Sequence, residues 1–389
     1  MALALAVGGI WLAGGMFGDP APESASGSRA WRAPVGWTSL PPPPEVREGS
    51  SLLWAGHELL LWGGCDPRVD DGCAPTPEGY RFDTVTRRWD ELPSAPKSSA
   101  WGDAVWTGTE AVFLAGVYAE PTGPPLDGVA YRPDDGSWGV IPEAPIRTRR
   151  SSVAVWTGEE IVVWGGGNRD GAINREGAAF NPSSQTWRRI EEAPLGLNLA
   201  SGVWTGDEVL VFGSLLDHRN WAETETSVGA AYDPYRDQWR TLPPSDLSPQ
   251  ATSAVWAGGQ LVAWDYEVSA QEYDPIGDAW EPPVRMPLQF SECYPNSALV
   301  DGKVFAFFCG TAALYDPATS SWERVRGGPL DAEIEGDPNG LLEWRFASLE
   351  SADVALFMLM EGVTVNDRGV PCYGCPGSRL AFWAFRPPA

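Results

Sequence analysis

Three arginines stand close together in the segment PIRTRRSS, at Arg147, Arg149 and Arg150, within a strongly acidic chain. The chain has 27 Lys and Arg against 52 Asp and Glu, a formal net charge of −25. Its overall field repels phosphate backbones, so nucleic acid is not an expected partner. A guanidinium can hold a carboxylate through two parallel hydrogen bonds. The cluster indicates either a site for an acidic or hydroxyl-rich ligand or a solvated connection between strands.

Six cysteines fall into three pairs that are local in the sequence. An even count in an exported chain predicts disulfides, and we expect the pairs Cys65–Cys73, Cys293–Cys309 and Cys372–Cys375. The last pair also has the spacing of a redox motif. That chemistry requires a βαβ context and a helix start, neither of which the sequence indicates.

Other residues that could catalyse a reaction or hold a metal are sparse. Histidine occurs only at His57 and His218, and the sequence carries no Ser-His-Asp arrangement and no phosphate-binding glycine loop. We therefore expect no metal ion and no other cofactor. Glycoside hydrolysis needs only two suitably separated carboxylates, which 52 acidic residues can supply. The sequence favours a binding or interaction module, with a sugar-acting enzyme as the alternative.

Two repeated phrases indicate the elements that position these residues. The first is an apolar run, a Trp-x-Gly turn and a second apolar run, with the tryptophan at Trp54, Trp106, Trp156, Trp204 and Trp256. The second is an aromatic residue followed by Asp, Asn or Arg and then by a tryptophan, at Trp89, Trp138, Trp187, Trp239, Trp280 and Trp322. These closing tryptophans are 49, 49, 52, 41 and 42 residues apart. That period, two hairpins long, is typical of a four-stranded propeller blade of ~40–50 residues.

Paired glycines follow the second strand of two units, at Gly63-Gly64 and Gly165-Gly166. Together with the spaced aromatic residues, they make the chain resemble the kelch repeat over roughly residues 37–388. The resemblance implies an all-β, seven-bladed propeller of the galactose oxidase central-domain superfamily, in an exported protein of actinobacterial type. The metal-binding residues of the copper-radical oxidases have no counterpart here. Kelch-type sugar epimerases, similar to the bacterial sialic-acid mutarotases, match at the level of the fold only.

The two ends of the chain predict how the ring closes. The last unit stops at Phe385-Arg386-Pro387 without its tryptophan, and Trp37 near the N-terminus begins the missing phrase. We therefore expect the N-terminal strand to complete the last blade. Residues 1–17 are uncharged and mostly apolar, which predicts a signal peptide or single membrane anchor, followed by a flexible linker at 18–30 and the propeller at 31–389. The expected product is an extracellular or cell-surface monomer, with contact to the membrane only through such an anchor.

Counting back six residues from each Trp-x-Gly turn predicts one position per blade at the mouth of the central channel. The count gives Glu48, Ala100, Arg150, Asn198 and Gln250, with Tyr294 as the equivalent counted from Val300, and Trp101 borders this ring. A mixed polar ring with one cation beside an aromatic side chain suits a carbohydrate, a carboxylated sugar or an acidic peptide. Long insertions between the second and third strands share this face, which marks it as the binding face.

Overall fold

Every regular element of the described residues is a β-strand, and the strands number β1 to β31 in chain order. The structure, a computed structural model, describes residues 34–45, 47, 49–66, 73–116, 124–167, 173–215, 227–248, 253–265, 269–286, 296–308, 311–327, 344–349, 354–361, 364–365, 371–372 and 379–387. Only the backbone is described at 150–151, 198–199, 296, 307–308, 311, 344–349, 357–361, 364–365, 371–372 and 379–381. Within these ranges no helix has the length and apolar character needed to cross a membrane. The apolar segment 1–17 and the linker 18–30 lie outside them.

The first four blades follow the order of the chain, and each is an antiparallel sheet with its strands in sequential order. Blade 1 contains β2 (Ser51–Ala55), β3 (Glu58–Trp62), β4 (Gly79–Asp83) and β5 (Arg88–Glu91). Blade 2 contains β6 (Ala104–Trp106), β7 (Ala111–Leu114), β8 (Gly128–Arg132) and β9 (Ser137–Ile141). Blade 3 contains β10 (Arg150–Trp156), β11 (Ile161–Gly167), β12 (Gly177–Asn181) and β13 (Thr186–Ile190). Blade 4 contains β14 (Asn198–Trp204), β15 (Val209–Ser214), β16 (Val228–Asp233) and β17 (Gln238–Thr241).

The remaining three blades carry small variations on this plan. Blade 5 contains β18 (Ser253–Ala257), β19 (Gln260–Trp264), β20 (Ser269–Asp274) and β21 (Ala279–Trp280), and β22 (Val284–Arg285) also pairs with β20. Blade 6 contains β23 (Asn296–Val300), β24 (Lys303–Phe308), β25 (Thr311–Asp316) and β26 (Ser321–Val325). Blade 7 contains β27 (Trp344–Leu349), β28 (Val354–Glu361), β31 (Arg379–Arg386) and β1 (Gly36–Leu40), with a small hairpin of β29 (Thr364–Val365) and β30 (Pro371–Cys372) inserted before β31.

Polar side chains hold the turns of several blades in place, and blade 3 shows both kinds of turn. In blade 3 the hydroxyl oxygen of Thr157 accepts a hydrogen bond of 3.0 Å from the backbone N–H of Glu160. In the turn after β12, Oδ1 of Asn181 accepts bonds of 3.0 Å from the N–H groups of Ser183 and Ser184. Short side chains that bond to the backbone in this way favour turns over continued strands. The repeated Thr and Asp or Asn of the sequence phrases therefore build the turns.

The N-terminal strand closes the ring, as the sequence predicted. Strand β1 pairs antiparallel with β31, and Trp37 lies opposite Phe385. Its indole packs against Phe305 of blade 6 with 6.3 Å between the ring centroids. Blade 7 is therefore built from both ends of the chain, which leaves neither the first nor the last blade with an open flank.

The core consists of seven apolar clusters, most of them lying between neighbouring sheets. Six of the closing tryptophans bind the blades to one another, because their indole N–H groups donate to a carbonyl oxygen of the preceding blade's last segment. These bonds run from Trp37 to Arg326, Trp89 to Pro41, Trp138 to Pro93, Trp187 to Pro142, Trp239 to Glu191 and Trp280 to Pro243. Among the described residues the indole of Trp322 in blade 6 is buried without such a partner. The repeated phrase thus encodes contacts between blades as well as within them.

The first strands of the seven blades form a closed inner ring. Each first strand contacts the first strands of both neighbouring blades, from β2 through β6, β10, β14, β18 and β23 to β27 and back to β2. The centre of this ring is the central channel.

Candidate functional site

The second-to-third strand loops and the connections between blades lie on one face, which we call the loop face. The N–H of Gly64, after β3, donates to the carbonyl oxygen of Ser99, in the connection between blades 1 and 2. In blade 5, Asp265 occupies the place of the kelch glycine pair, and its Oδ2 accepts a 2.8 Å bond from the N–H of Ser248. The prediction that loops and connections share a face is therefore confirmed where both are described. The opposite face carries the Trp-x-Gly turns and the third-to-fourth strand turns, and we call it the turn face.

Arg149, the middle member of the basic cluster, is a buried structural residue. Its guanidinium donates to the carbonyl oxygen of Gly165 at 3.0 Å and to Oε1 of Glu176 at 2.9 Å. The equivalent contact in blade 1 joins the buried Arg47 to Glu78 at 2.8 Å. Because Arg149 is held inside blade 3, it cannot reach a ligand without breaking these contacts. The backbone of Arg147 forms an isolated β-bridge with Pro125 in the adjoining connection.

The structure describes only part of the predicted ring of ligand-binding residues. Arg150 and Asn198 each begin the innermost strand of their blade, β10 and β14, and their side chains are not described. Glu48, Gln250 and Tyr294 lie outside the described residues. The blade 6 turn pairs Val300 with Lys303, as blade 1 pairs Ala55 with Glu58. Leu299 therefore occupies the position of Trp54. The six-residue count that selected Tyr294 started from Val300, which is one residue later than the starting point in the other blades.

Trp101 lies on the loop face in an uncommon backbone conformation. Its φ is 54°, in the left-handed region that a bulky residue adopts only where the surroundings require it. Its N–H donates a 2.8 Å hydrogen bond to the carbonyl oxygen of Gly49, and its indole covers that glycine so closely that an added Cβ would lie 2.8 Å from the ring. In blade 2, Ala100 is buried, whereas Trp101 beside it has a half-buried side chain on the loop face.

Two residues beyond Trp101, a carboxylate and a hydroxyl join the first strands of blades 2 and 3. The hydroxyl of Ser152 donates a short hydrogen bond to Oδ2 of Asp103, and both residues are half-buried. Burial raises the pKa of Asp103 to about 7, although the hydrogen bond from Ser152 and the charge of Arg149 oppose this rise. Asp103 can therefore exist in both protonation states near neutral pH. A carboxyl group with this property can act as an acceptor, a donor or a proton carrier.

Half-buried serines occupy the matching positions of blades 1, 4 and 5, at Ser51, Ser201 and Ser253. The hydroxyl of Ser51 donates to the carbonyl oxygen of Gly102 at 3.1 Å, and the hydroxyl oxygen of Ser201 accepts from the N–H of Ala254 at 3.1 Å. Ser253 and Ser297 share a hydroxyl–hydroxyl contact of 3.2 Å between blades 5 and 6. Among the described side chains, the inner ring thus carries at this level several serine hydroxyls and the carboxylate of Asp103, groups that bind hydroxyl-rich ligands.

Sequence reasoning missed Asp103 and Ser152, although a signal for Asp103 was present. A serine lies three residues before Trp54, Trp204 and Trp256. Asp103 lies at the same distance before Trp106. Alignment of the repeats would have identified the one charged residue at this position. Ser152 is one residue out of that pattern, so only the packing of blade 3 against blade 2 identifies it. The described residues contain no group of three or more His, Cys, Asp and Glu that could hold a metal ion.

The Cys65–Cys73 disulfide is present and closes the blade 1 loop on the loop face. Its Cα atoms are 4.9 Å apart, and Cys65 also forms a bridge with Pro75. Cys293, Cys309 and Cys375 lie outside the described residues, as does the side chain of Cys372, which ends β30. The other two predicted disulfides therefore stay predictions.

No family model matches the chain. It is similar to Kelch-like protein 36 of Bos taurus, with 20% identity over 260 residues, which cover 64% of this chain and 42% of that protein. It is also similar to N-acetylneuraminate epimerase of Vibrio vulnificus, with 24% identity over 212 residues, which cover 52% of this chain and 51% of that protein. A third similar protein is Kelch-like protein terF of Aspergillus terreus, with 28% identity over 121 residues, which cover 28% of this chain and 26% of that protein. The chain thus spans about half or less of the length of these relatives.

A solved structure described as "Structure of YjhT" aligns with 74% of this chain and 99% of its own chain, at a TM-score of 0.52 and 13% identity. At that identity the likeness concerns the fold alone. The described strands, the closed inner ring and the similarity to two kelch-like proteins agree with the repeats of the sequence. The chain is a seven-bladed β-propeller of the kelch-repeat type.

Proposed function

We propose that this propeller is an extracytoplasmic binding module whose ligand is a carbohydrate or an acidic peptide, held at the loop-face mouth of the central channel. The observation that carries this proposal is the Asp103–Ser152 pair on the inner ring, two residues from Trp101. Hydroxyls and a carboxylate beside an aromatic face are the combination that binds sugars, because the polar groups pair with hydroxyls and the ring covers apolar sugar faces. For a carboxylated sugar or an acidic peptide, Arg150 at the start of β10 supplies the cation.

The rest of the molecule is consistent with such a site. The blades are locked by indole hydrogen bonds between sheets, so the inner ring is a rigid frame that loses little freedom when a ligand binds. The loops above the ring vary in length from blade to blade, which is where recognition can differ without a change in the frame. The proposed organisation includes residues 1–17 as a signal peptide or single anchor, residues 18–30 as a linker, and residues 31–389 as a monomeric propeller outside the cytoplasm.

A glycan array probed with the purified propeller tests this function, and a set of acidic peptides serves for the second ligand class. Binding should weaken in Arg150→Ala for carboxylated ligands and in Trp101→Ala and Asp103→Asn for sugars. Arg324→Ala, an exposed arginine on β26 of blade 6, is the matched control and should bind as the unchanged protein does. The absence of any glycan or acidic peptide that binds, or loss of binding in the control alone, would refute a channel-mouth site.

A sugar-acting enzyme is the second candidate, for two reasons. One relative is an N-acetylneuraminate epimerase, and the pKa of Asp103, which burial raises to about 7, suits a group that both takes up and releases a proton. Interconversion of N-acetylneuraminate anomers, followed by proton NMR, and a panel of chromogenic glycosides test it. Turnover that falls at least ~100-fold in Asp103→Asn would support the enzyme, since general acid–base catalysis contributes factors of that size. Binding without turnover would leave the binding module as the function.

A further inference from the structure

A groove on the turn face separates blades 4 and 5, on the opposite side of the molecule from the loop-face mouth of the channel. It encloses about 650 Å³, within the range of sites that take small ligands or peptide side chains. Its walls are the two turns of blade 4, after β14 and β16, and the two turns of blade 5, after β18 and β20. Because it is formed only by turns, the channel-mouth function does not use it.

The groove is bordered by the two most exposed large apolar side chains of the described residues. Ile276 is 95% exposed and Tyr235 is 74% exposed, and the half-buried Trp256, near the end of β18, also lines the groove. In each repeat the second phrase begins with an aromatic residue, and the third residue after it occupies the same position in the turn between the third and fourth strands. That position holds Val85, Asp134, Ser183, Tyr235, Ile276 and Ala318 in blades 1 to 6. Only blades 4 and 5 among these six are neighbours that both place a large apolar residue there, so one apolar patch results.

The turns that present this patch are held in place by their own hydrogen bonds. Oδ1 of Asp233 accepts bonds of 2.9 Å from the N–H groups of Tyr235 and Arg236, and Oδ1 of Asp274 accepts one of 2.9 Å from the N–H of Ile276. The hydroxyl oxygen of Thr205 accepts from the N–H groups that follow it in the blade 4 hairpin turn. Exposed apolar side chains on fixed turns lose little backbone entropy when a partner covers them. The patch is therefore organised before any partner arrives.

The charge of the groove selects the partner. Glu208 binds Arg240 at 2.6 Å and Asp233 binds Arg236 at 2.5 Å, so these two carboxylates are neutralised. Within the described part of the chain no cation pairs with Asp207, an exposed carboxylate at the tip of the blade 4 hairpin turn. The protein as a whole carries a net charge of −25, which attracts cationic partners from a distance. A groove that combines the exposed apolar side chains of Tyr235 and Ile276 with the carboxylate of Asp207 is complementary to an apolar side chain beside a lysine or arginine.

We propose that the groove between blades 4 and 5 docks a basic, apolar peptide segment of a partner protein. An aliphatic or aromatic side chain of that segment packs between Tyr235 and Ile276 against Trp256, and a neighbouring lysine or arginine pairs with Asp207. The segment lies across the turn face, so the loop face stays open for its own ligand. The propeller would then join a partner protein on one face to a ligand on the other.

Three synthetic hexapeptides of matched length test this by fluorescence anisotropy: one alternates Leu and Lys, one alternates Ser and Lys, and one alternates Leu and Glu. The Leu–Lys peptide should bind the full chain at least ~10-fold more tightly than the Ser–Lys peptide, because burying one large aliphatic side chain supplies that factor. It should also bind more tightly than the Leu–Glu peptide, because the acidic protein repels the carboxylates of that peptide. Ile276→Ser should remove about that factor, and Asp207→Asn should weaken binding about threefold, the effect of a single exposed ion pair.

Two control variants make the same chemical changes at equivalent turns of other blades. Val85→Ser alters the exposed apolar turn residue of blade 1, and Glu159→Gln removes the exposed carboxylate that blade 3 places where blade 4 has Asp207. Both should bind the Leu–Lys peptide as the unchanged protein does. Equal loss in the controls would mean general attraction to an acidic surface and would overturn the proposal. So would equal binding of the three peptides, or preferential binding of the Leu–Glu peptide.

Discussion

The indole nitrogen of Trp89 donates a 2.8 Å hydrogen bond to the carbonyl oxygen of Pro41, the residue that follows the N-terminal strand. Blade 1 is thereby bound to blade 7 through a segment far away in the sequence, by the same contact that joins sequential blades elsewhere. The junction between blades 7 and 1 therefore uses the same indole-to-carbonyl hydrogen bond as the junctions between blades 1 and 2 and between blades 2 and 3. Closure of the ring therefore depends on Trp37 and the short strand that contains it.

Replacing Trp37 by Ala should strongly destabilise the propeller. The change removes an indole that packs on Phe385 at 4.8 Å between ring centroids and that donates to the carbonyl oxygen of Arg326. Truncation of a large aromatic core residue costs ~3–5 kcal/mol, a large share of a total stability of ~5–15 kcal/mol. Chemical denaturation measures the loss.

Val35, 60% exposed just before the same strand, is the control, and Val35→Ala should change the free energy of unfolding by less than ~0.5 kcal/mol. Deletion of all residues through Pro41 should remove cooperative melting of the last blade. A melting curve that is unchanged by this deletion would contradict closure by the N-terminal strand.

The Cys65–Cys73 disulfide on the loop face should stabilise the fold by lowering the conformational entropy of the unfolded chain. Cys65 and Cys73 are separated by 8 residues, and closing a loop of that size in the unfolded state is worth ~2–3 kcal/mol in the chain-entropy model. Cys65→Ser with Cys73→Ser should lower the free energy of unfolding by up to that amount.

Intact-mass measurement of protein produced in an oxidising compartment tests the two remaining pairs. Three disulfides lower the mass by six hydrogens relative to the reduced chain, and no thiol should then react without denaturant. A decrease of two hydrogens, with four reactive thiols, would limit the disulfides to the Cys65–Cys73 pair.

The fold could be predicted from the sequence because its determinants repeat. Five blades repeat the Trp-x-Gly turn and six repeat the closing tryptophan, so these copies fix the period and the missing strand of the seventh blade can be located at Trp37. Contacts between blades that are not repeated could not be predicted in this way. The Asp103–Ser152 bond joins positions that differ by one residue in the repeat, and the burial of Arg149 depends on Glu176 in a separate strand connection. Side chains that depart from the repeat are therefore where function must be sought in the structure.

Two adjacent arginines should behave oppositely when each is replaced by Ala. Arg149 is buried and bonded to Gly165 and Glu176, so Arg149→Ala leaves a buried carbonyl group unsatisfied and should cost ~1–3 kcal/mol of stability. Arg150 at the start of β10 is the proposed cation of the channel mouth, so Arg150→Ala should leave folding nearly unchanged and weaken an acidic ligand by roughly 1.5–3 kcal/mol.

Arg150→Lys tests whether ligand affinity depends on the charge of Arg150 alone or also on the planar shape of its guanidinium group. Lysine keeps the charge without the planar fork and should restore only part of the lost affinity. Melting temperatures and titration calorimetry with a carboxylated sugar that the array identifies measure the two effects. Unchanged affinity in Arg150→Ala would move the ligand to the variable outer loops.

Asp103 should make the stability of the propeller depend on pH. Burial raises the pKa of Asp103 to about 7, whereas an aspartate in the unfolded chain titrates near ~3.9. Between these values the folded protein binds more protons than the unfolded chain, so the free energy of unfolding falls as the pH rises from about 4 to about 7. Each pKa unit corresponds to ~1.4 kcal/mol, so the fall amounts to a few kcal/mol. Asp103→Asn cannot ionise and should lose this dependence, being stabilised relative to the unchanged protein at pH 8.

Two variants check that the effect belongs to the inner ring. The Ser152 hydrogen bond favours the ionised form of Asp103, so Ser152→Ala should raise the pKa of Asp103 further and move the transition to higher pH. Asp135, at the exposed turn of the same blade, has its pKa lowered by hydrogen bonds from Ser137, so Asp135→Asn should leave the change in stability between pH 5 and pH 8 as it is in the unchanged protein. Urea denaturation at pH 4, 5.5 and 8, with carbon-13 NMR titration of the aspartate carboxyls, measures both. A measured pKa of Asp103 at or below its usual value would show that the carboxylate is ordinarily solvated and not the proton-exchanging group of the channel.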